Sequence, residues 1–376
     1  MIKDVFGLIY AGEQNMNLRE LVILRSVGAV PIAGRYRALD FVLSNMVNSN
    51  IRNIGIIAQK NYHSLMDHLG SGKDWDLNRK SDGLFILPPF DTNENRGSYR
   101  GLCDAVKGAM NYIVRTSQKY CLLCGSYTIY NETYDRLLDY HINSGADITM
   151  LYNVEENPEY TGERFKDTRI IMDDETGRVI DMELNPSVPR SNKIGMDIYL
   201  IRKDLLEYLI EDAVLHGNYN FVMDVLIPNI NSLKIYAIEH KGYVGRLHSV
   251  AAYFKMNMDF LKNDVQQDLF LSENRIFTKI KDEAPVKFSK DAKIKNSFIA
   301  NGCIIKGEVE NSIIFRGVHI DEGVSIKNSI IMQDSHISSN CSLEYVILDK
   351  IVHMREGRKL IGDENFPVVI RKGAMV

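Results

Sequence analysis

Short apolar runs alternate with amphipathic stretches over the first two thirds of the chain, and that alternation predicts a layered α/β domain. Residues 6–12, Phe6-Gly7-Leu8-Ile9-Tyr10-Ala11-Gly12, suit a buried strand that stops at a glycine. Apolar residues at helical spacing follow up to Val47, and residues 53–58 read as a second short buried strand. Strand, helix, strand is the unit that builds a parallel sheet. The rhythm continues with a helix over 104–114, a strand over 120–124, a helix over 134–143 and a strand over 147–152. An amphipathic helix over 257–270, carrying Met258, Leu261, Val265 and Leu269, leads out of the domain.

Beyond a polar linker at 279–285 the texture changes to short β-rich runs that repeat. Asn296-Ser297-Phe298-Ile299 recurs as Asn311-Ser312-Ile313-Ile314 and Asn328-Ser329-Ile330-Ile331, with a weaker echo at Glu344-Tyr345-Val346-Ile347. The offsets of 15, 17 and 16 residues suit a parallel β-helix with β-branched residues stacked inward. A sandwich with coincidental spacing is the competing arrangement. The expected organisation is a sheet domain over 1–260, a connecting helix and linker over 261–285, and a β-helix over 286–376. Stacked coils leave edges at their ends, so such domains commonly associate.

Composition narrows the function. A net charge of −4 and no Lys/Arg run argue against nucleic acid and membrane surfaces as partners. No apolar run reaches membrane-spanning length and the N-terminus carries no signal-like segment, which makes the cytoplasm the expected location. Cys121 and Cys124 have metal-pair spacing, but on a strand they point to opposite faces and read as buried thiols. His63 and His68 do not share a helical face, and Trp75 reads as an anchor.

The sequence resembles the ADP-glucose pyrophosphorylase (glucose-1-phosphate adenylyltransferase) family over nearly its whole length. The resemblance rests on residues 34–45 (Gly34-Arg35-Tyr36-Arg37-Ala38-Leu39-Asp40-Phe41-Val42-Leu43-Ser44-Asn45), Trp75-Asp76-Leu77, residues 83–89, Tyr99-Arg100-Gly101 and residues 346–350. It implies a Rossmann-like nucleotidyltransferase domain followed by a left-handed parallel β-helix, working in tetramers. It also implies a reaction joining glucose 1-phosphate to ATP with Mg²⁺, giving ADP-glucose and pyrophosphate.

The departures from the family pattern fall on its chemistry. The opening Ala-Gly-Gly-x-Gly-x-Arg-Leu is replaced by Ala11, Gly12, Glu13, Gln14, Asn15, Met16, Asn17 and Leu18, losing two glycines and an arginine. A lysine that follows becomes Val27, with Gly28 replacing a proline. One magnesium-binding aspartate becomes Ser126, and the second falls at Arg246. Neither a hydroxyl nor a guanidinium replaces a hard oxygen anion around Mg²⁺. The lysine for the sugar phosphate becomes Asn185, and Asp197 adds a carboxylate where that phosphate would approach.

These losses imply a chain with no catalytic residues and no cofactor of its own, the magnesium belonging to a partner. The expected partner is a catalytic glucose-1-phosphate adenylyltransferase subunit in a heterotetramer, as for GlgD-type regulatory subunits; whether the chain forms a homo-oligomer without that partner is left open by the sequence. Competing readings are a sugar nucleotidyltransferase with atypical residues and a stand-alone sensing module. Gly12, Gln59 and Gly101 match nucleotide-binding positions, with packing as the alternative role. Arg35 and Arg37 match the neighbourhood of a lysine associated with phosphorylated activators, with simple solvation as the alternative.

Overall fold

The computed structural model describes residues 2–12, 16–89, 98–155 and 167–376. The first two thirds of the chain are built on a nine-stranded sheet. Its strands are β1 (Val5–Ala11), β2 (Asn53–Ala58), β3 (Gly83–Leu87), β4 (Tyr120–Gly125), β5 (Ile148–Val154), β6 (Thr168–Met172), β7 (Val179–Leu184), β8 (Lys193–Arg202) and β9 (Ile235–Glu239). The order is β7-β6-β8-β4-β1-β2-β3, with β5 pairing both β8 and β9. Strands β4, β1, β2 and β3 run parallel, with Leu8 opposite both Gly55 and Leu123, while β8 is antiparallel to β4.

Both faces of β1 are buried, as a continuous apolar run requires. Phe6, Leu8 and Tyr10 enter one core, while Val5, Ile9 and Ala11 enter the other. The same alternation sends Cys121 and Cys124 to opposite faces as buried free thiols. Among the described residues the α-helices are α1 (Ala38–Asn48), α2 (His63–Leu69), α3 (Leu102–Gly108), α4 (Met110–Arg115), α5 (Asp135–Ser144), α6 (Lys203–Leu215), α7 (Val250–Asp259) and α8 (Asn263–Leu269).

Two helices expected as continuous are broken. The 104–114 segment divides at Ala109 between α3 and α4. The 257–270 segment spans the end of α7 and all of α8, because the fully buried Phe260 turns inward against Tyr243 and Phe270, and Lys262 is extended. Tertiary packing of one ring thus overrides a helical pattern. Among the described residues no helix is long and apolar enough to cross a membrane.

The C-terminal quarter is the expected left-handed β-helix, with three faces of five parallel strands each. Its turns explain the repeat. Asn296, Asn311 and Asn328 take φ of 42°, 45° and 43°, the left-handed region that asparagine tolerates. The serines that follow stitch coil to coil: Ser312 N donates to Ser297 Oγ (3.1 Å), Ser329 N to Ser312 Oγ (3.0 Å) and Val346 N to Ser329 Oγ (3.1 Å). The fourth repeat is offset by 17 residues, since Ile330 pairs with Ile347, so Tyr345 takes the asparagine place.

The two parts share a core. Val27, Ala38 and Phe41 of the sheet domain and Phe254 of α7 pack in one cluster with Ile313, Phe315, Ile330 and Ile347 of the β-helix. A buried ion pair ties the same junction, with an Arg25 nitrogen 2.8 and 2.9 Å from the two oxygens of Asp349.

Candidate functional site

In an open parallel sheet, ligands bind beyond the carboxyl ends of the strands, here the ends of β1 and β4. Tyr10, near the end of β1, closes that edge. Its hydroxyl lies 3.2 Å from both the Gly12 carbonyl and Gln59 Oε1. A Cβ on Gly12 would sit 2.5 Å from the Tyr10 ring, so this glycine accommodates a side chain. Gln59 is 2% exposed, and its amide donates to Ser98 Oγ (3.0 Å) and the Tyr99 carbonyl (3.3 Å). Glu13 and Asn15 lie outside the described residues. Asn17 is half-buried in a 3-10 turn, and Val27 is core, packed in a cluster with Leu18, Tyr127 and Leu247.

The structure brings Ser126 and Arg246 to one place. Thr128–Ile129 pairs with Gly245–Arg246, with Arg246 opposite Thr128, two residues from Ser126. Ser126 is 1% exposed and lies against Gly28, whose Cβ, if present, would be 3.1 Å from the serine oxygen. The glycine at position 28 therefore makes room for the serine. The Arg246 guanidinium donates to Asn153 Oδ1, and burial pulls its pKa below the ordinary value. Magnesium does not fit here: one position offers a packed hydroxyl and the other a cation. Among the described residues, no three His, Cys, Asp or Glu side chains are grouped where a metal could be held.

Asp197 takes φ 55° within β8, and its carboxylate accepts from Tyr127 and, at 2.9 Å, from Tyr199. Tyr10, Tyr127, Tyr199, Asp197 and Gly125 help line a cavity of about 40 Å³. Room for one water takes ~10–15 Å³ on the same measure, whereas small-molecule pockets run to roughly 300–1,000 Å³. No motif in the sequence marks this filling by tyrosines, although each residue was visible there.

Two other predicted positions serve local structure. Asn185 is exposed at φ 50°, and its Oδ1 accepts from Asp167 N at 2.8 Å, which fixes the turn after β7. Gly101 faces the Tyr219 carbonyl, which would lie 2.3 Å from an added Cβ. Cys103 N donates to that carbonyl (3.1 Å), and the Arg100 guanidinium covers the Tyr219 ring at 3.8 Å. The glycine is thus required by close backbone approach at the start of α3.

Arg35 and Arg37 stand at the junction of the two domains with different surroundings. Arg35 is exposed on a groove of about 490 Å³, lined also by Tyr36, Phe270 and Ser297–Ala300. The Arg37 guanidinium donates to the Ala29 carbonyl, and its backbone N–H to Asp40 (2.9 Å), which in turn meets His68 at 2.6 Å. His68 is therefore a core partner of Asp40, apart from the exposed His63, and Trp75 packs edge-on against its ring.

Reading by motif missed the larger cation group here. Arg25, 3% exposed, keeps one terminal nitrogen without a hydrogen-bond partner. Lys350 is close enough to feel both arginines: burial, then Arg37 and Arg25, pull its pKa down to about 6, against Asp349. Burial and Arg25 likewise lower Arg37 to about 10. Arg25 and Lys350 are 325 residues apart in sequence, so only the fold shows the cluster.

Comparison with known proteins agrees with this architecture. A profile of the nucleotidyl transferase family matches residues 6–263, and one of the GlmU-like C-terminal hexapeptide matches residues 284–365. The glycogen biosynthesis protein GlgD of Bacillus subtilis (strain 168) is 37% identical over 373 residues, covering 98% of this chain and 96% of that protein. GlgD of Geobacillus stearothermophilus is 39% identical over 326 residues, covering 87% and 84%. The glucose-1-phosphate adenylyltransferase of Thermosipho melanesiensis is 34% identical over 328 residues, covering 87% and 78%. By its full-length likeness, its sheet domain and its β-helix, the chain belongs to the nucleotidyl transferase family that contains the GlgD proteins and the glucose-1-phosphate adenylyltransferases.

Proposed function

We propose that this chain is a non-catalytic, regulatory subunit of glucose-1-phosphate adenylyltransferase in glycogen biosynthesis, assembling with a catalytic chain into a heterotetramer. The observation that carries this reading is the cavity of about 40 Å³ at the ends of β1 and β4. Tyrosines occupy that edge, and Ser126 and Arg246 stand where two acids would hold magnesium. Magnesium belongs, on this reading, to the catalytic partner. The junction cations Arg25, Arg37 and Lys350, with Arg35 on the adjoining groove, support a site for an anionic effector.

The test is to assay ADP-glucose formation by this chain, by a catalytic homologue and by both together, with co-purification of the two. Co-purification and a mixture that exceeds the homologue alone support the proposal. A turnover near ~1 s⁻¹ by this chain alone lies within the usual enzyme range and would establish atypical catalysis. Failure of the chains to associate would favour a stand-alone sensor. Ser126→Asp is expected to restore no activity and to lower stability by ~1–3 kcal/mol or more, because it places a larger, charged group at a position that is 1% exposed and packed against the Gly28 backbone. Thermal unfolding and the same assay check both parts.

A further inference from the structure

One face of the β-helix carries a row of histidines that none of these roles uses. His319, His336 and His353 are direct register partners on successive parallel strands, and His353 bridges on to Met375. The intervening Ile320 and Ile337 point into the core, so the imidazoles stand outward. Ring centres are 6.0 and 6.2 Å apart, edge to face. His336 Nε2 lies 2.8 Å from Asp321 Oδ2, and Lys306 Nζ is 3.4 Å from the other oxygen of the same carboxylate.

We propose that this row binds a divalent first-row transition metal, with zinc as the probe, between two in-register imidazoles, His336 being common to either pair. Zinc binds imidazole nitrogen at ~2.0–2.1 Å, and a tetrahedral angle at the ion sets two ring centres roughly 5 Å apart. The rings must therefore close by about 1 Å, which small side-chain rotations on exposed strands allow. The strand spacing of ~4.8 Å already holds the two Cα atoms at a suitable separation. Asp321 stands behind His336 as carboxylates stand behind metal-bound imidazoles, fixing tautomer and ring orientation. Imidazole ligands suit zinc, copper or nickel, and not magnesium or calcium; the Met375 sulfur accepts from Arg355 at 3.2 Å and is not counted among them. Because no three donors already converge, the ion would keep water in its remaining positions.

The experiment is calorimetric titration of Zn²⁺ into the tag-free, full-length chain after chelator treatment, at neutral pH. One zinc per chain is expected, with His336→Ala weakening it at least tenfold and Asp321→Asn weakening it by about tenfold, as loss of an orienting partner does. His319→Ala and His353→Ala are read side by side, and the one that weakens binding identifies the second ligand. His336→Gln repeats the test if the alanine variant melts early. Absence of zinc binding by the wild type overturns the proposal. So does binding that survives both His336 substitutions in chains with wild-type melting temperature.

Discussion

Lys350 stands where its charge is least welcome, half-buried beside two arginines that cannot release their protons. Its folded-state pKa of about 6 lies below the ordinary 10.5, so between those values the unfolded chain binds the extra proton. Stability therefore rises with pH across that window, and the penalty is fully present below pH 6. Replacing the amine with an apolar chain of similar length removes the penalty. Lys350→Met is expected to raise the melting temperature by a few degrees at pH 6–7, with the gain shrinking toward pH 10. Equal pH slopes for the two proteins would show a solvated, unperturbed lysine. The variant should also weaken any anion held by the junction cluster, because an anion would raise the lysine pKa and bind together with a proton. Stability gained at the expense of binding is the pattern expected where a site stores unfavourable charge.

At the level of elements, the serine ladder explains why the repeat was legible. Asparagine supplies the left-handed turn and serine accepts the next coil's N–H, so both residue types recur at fixed places and the β-helix can be read from sequence. Ser312→Ala would leave Ser329 N without its 3.0 Å partner in a fully buried position, costing about 1–3 kcal/mol in thermal or denaturant unfolding. A change within error would mean that water or a shifted coil replaces the hydroxyl. The echo was misplaced by one residue because Val346 occupies the serine position and Tyr345 the asparagine position, which breaks the pattern while the strands stay in register. The sheet strands were legible for a similar reason, as apolar runs buried on both faces. The breaks at Ala109 and Phe260 were not, since they depend on what each helix meets. The candidate site was half legible: Ser126, Val27 and Asn185 stood out as substitutions, but what fills the edge in their place did not. Gly28 making room for Ser126, and Tyr10, Tyr127 and Tyr199 around a small cavity, are relations between distant segments.

In the whole molecule, the Arg25–Asp349 pair and the shared apolar cluster make the sheet domain and the β-helix one cooperative body at their junction. Arg25 is 3% and Asp349 1% exposed, so both charges were taken out of water on folding. Removing one partner of a buried pair leaves an uncompensated charge, which costs about 3–5 kcal/mol, whereas replacing both with apolar groups is often neutral. The two ends of this pair are not equivalent. Loss of Arg25 strands one carboxylate among remaining cations, while loss of Asp349 leaves Arg25, Arg37 and Lys350 without that anion. Asp349→Ala is thus expected to lower the melting temperature more than Arg25→Met does. The double variant Arg25→Met with Asp349→Leu should recover most of the stability, with one transition in calorimetry. If the chain acts as the regulatory subunit proposed above and an anion at the junction carries that regulation, the same double variant should leave a catalytic homologue's activity unraised, because one of the junction cations is gone. Stability recovered together with a raised activity of the homologue would assign the pair to architecture alone, and stability recovered without it would tie the proposed regulation to the charges between the domains.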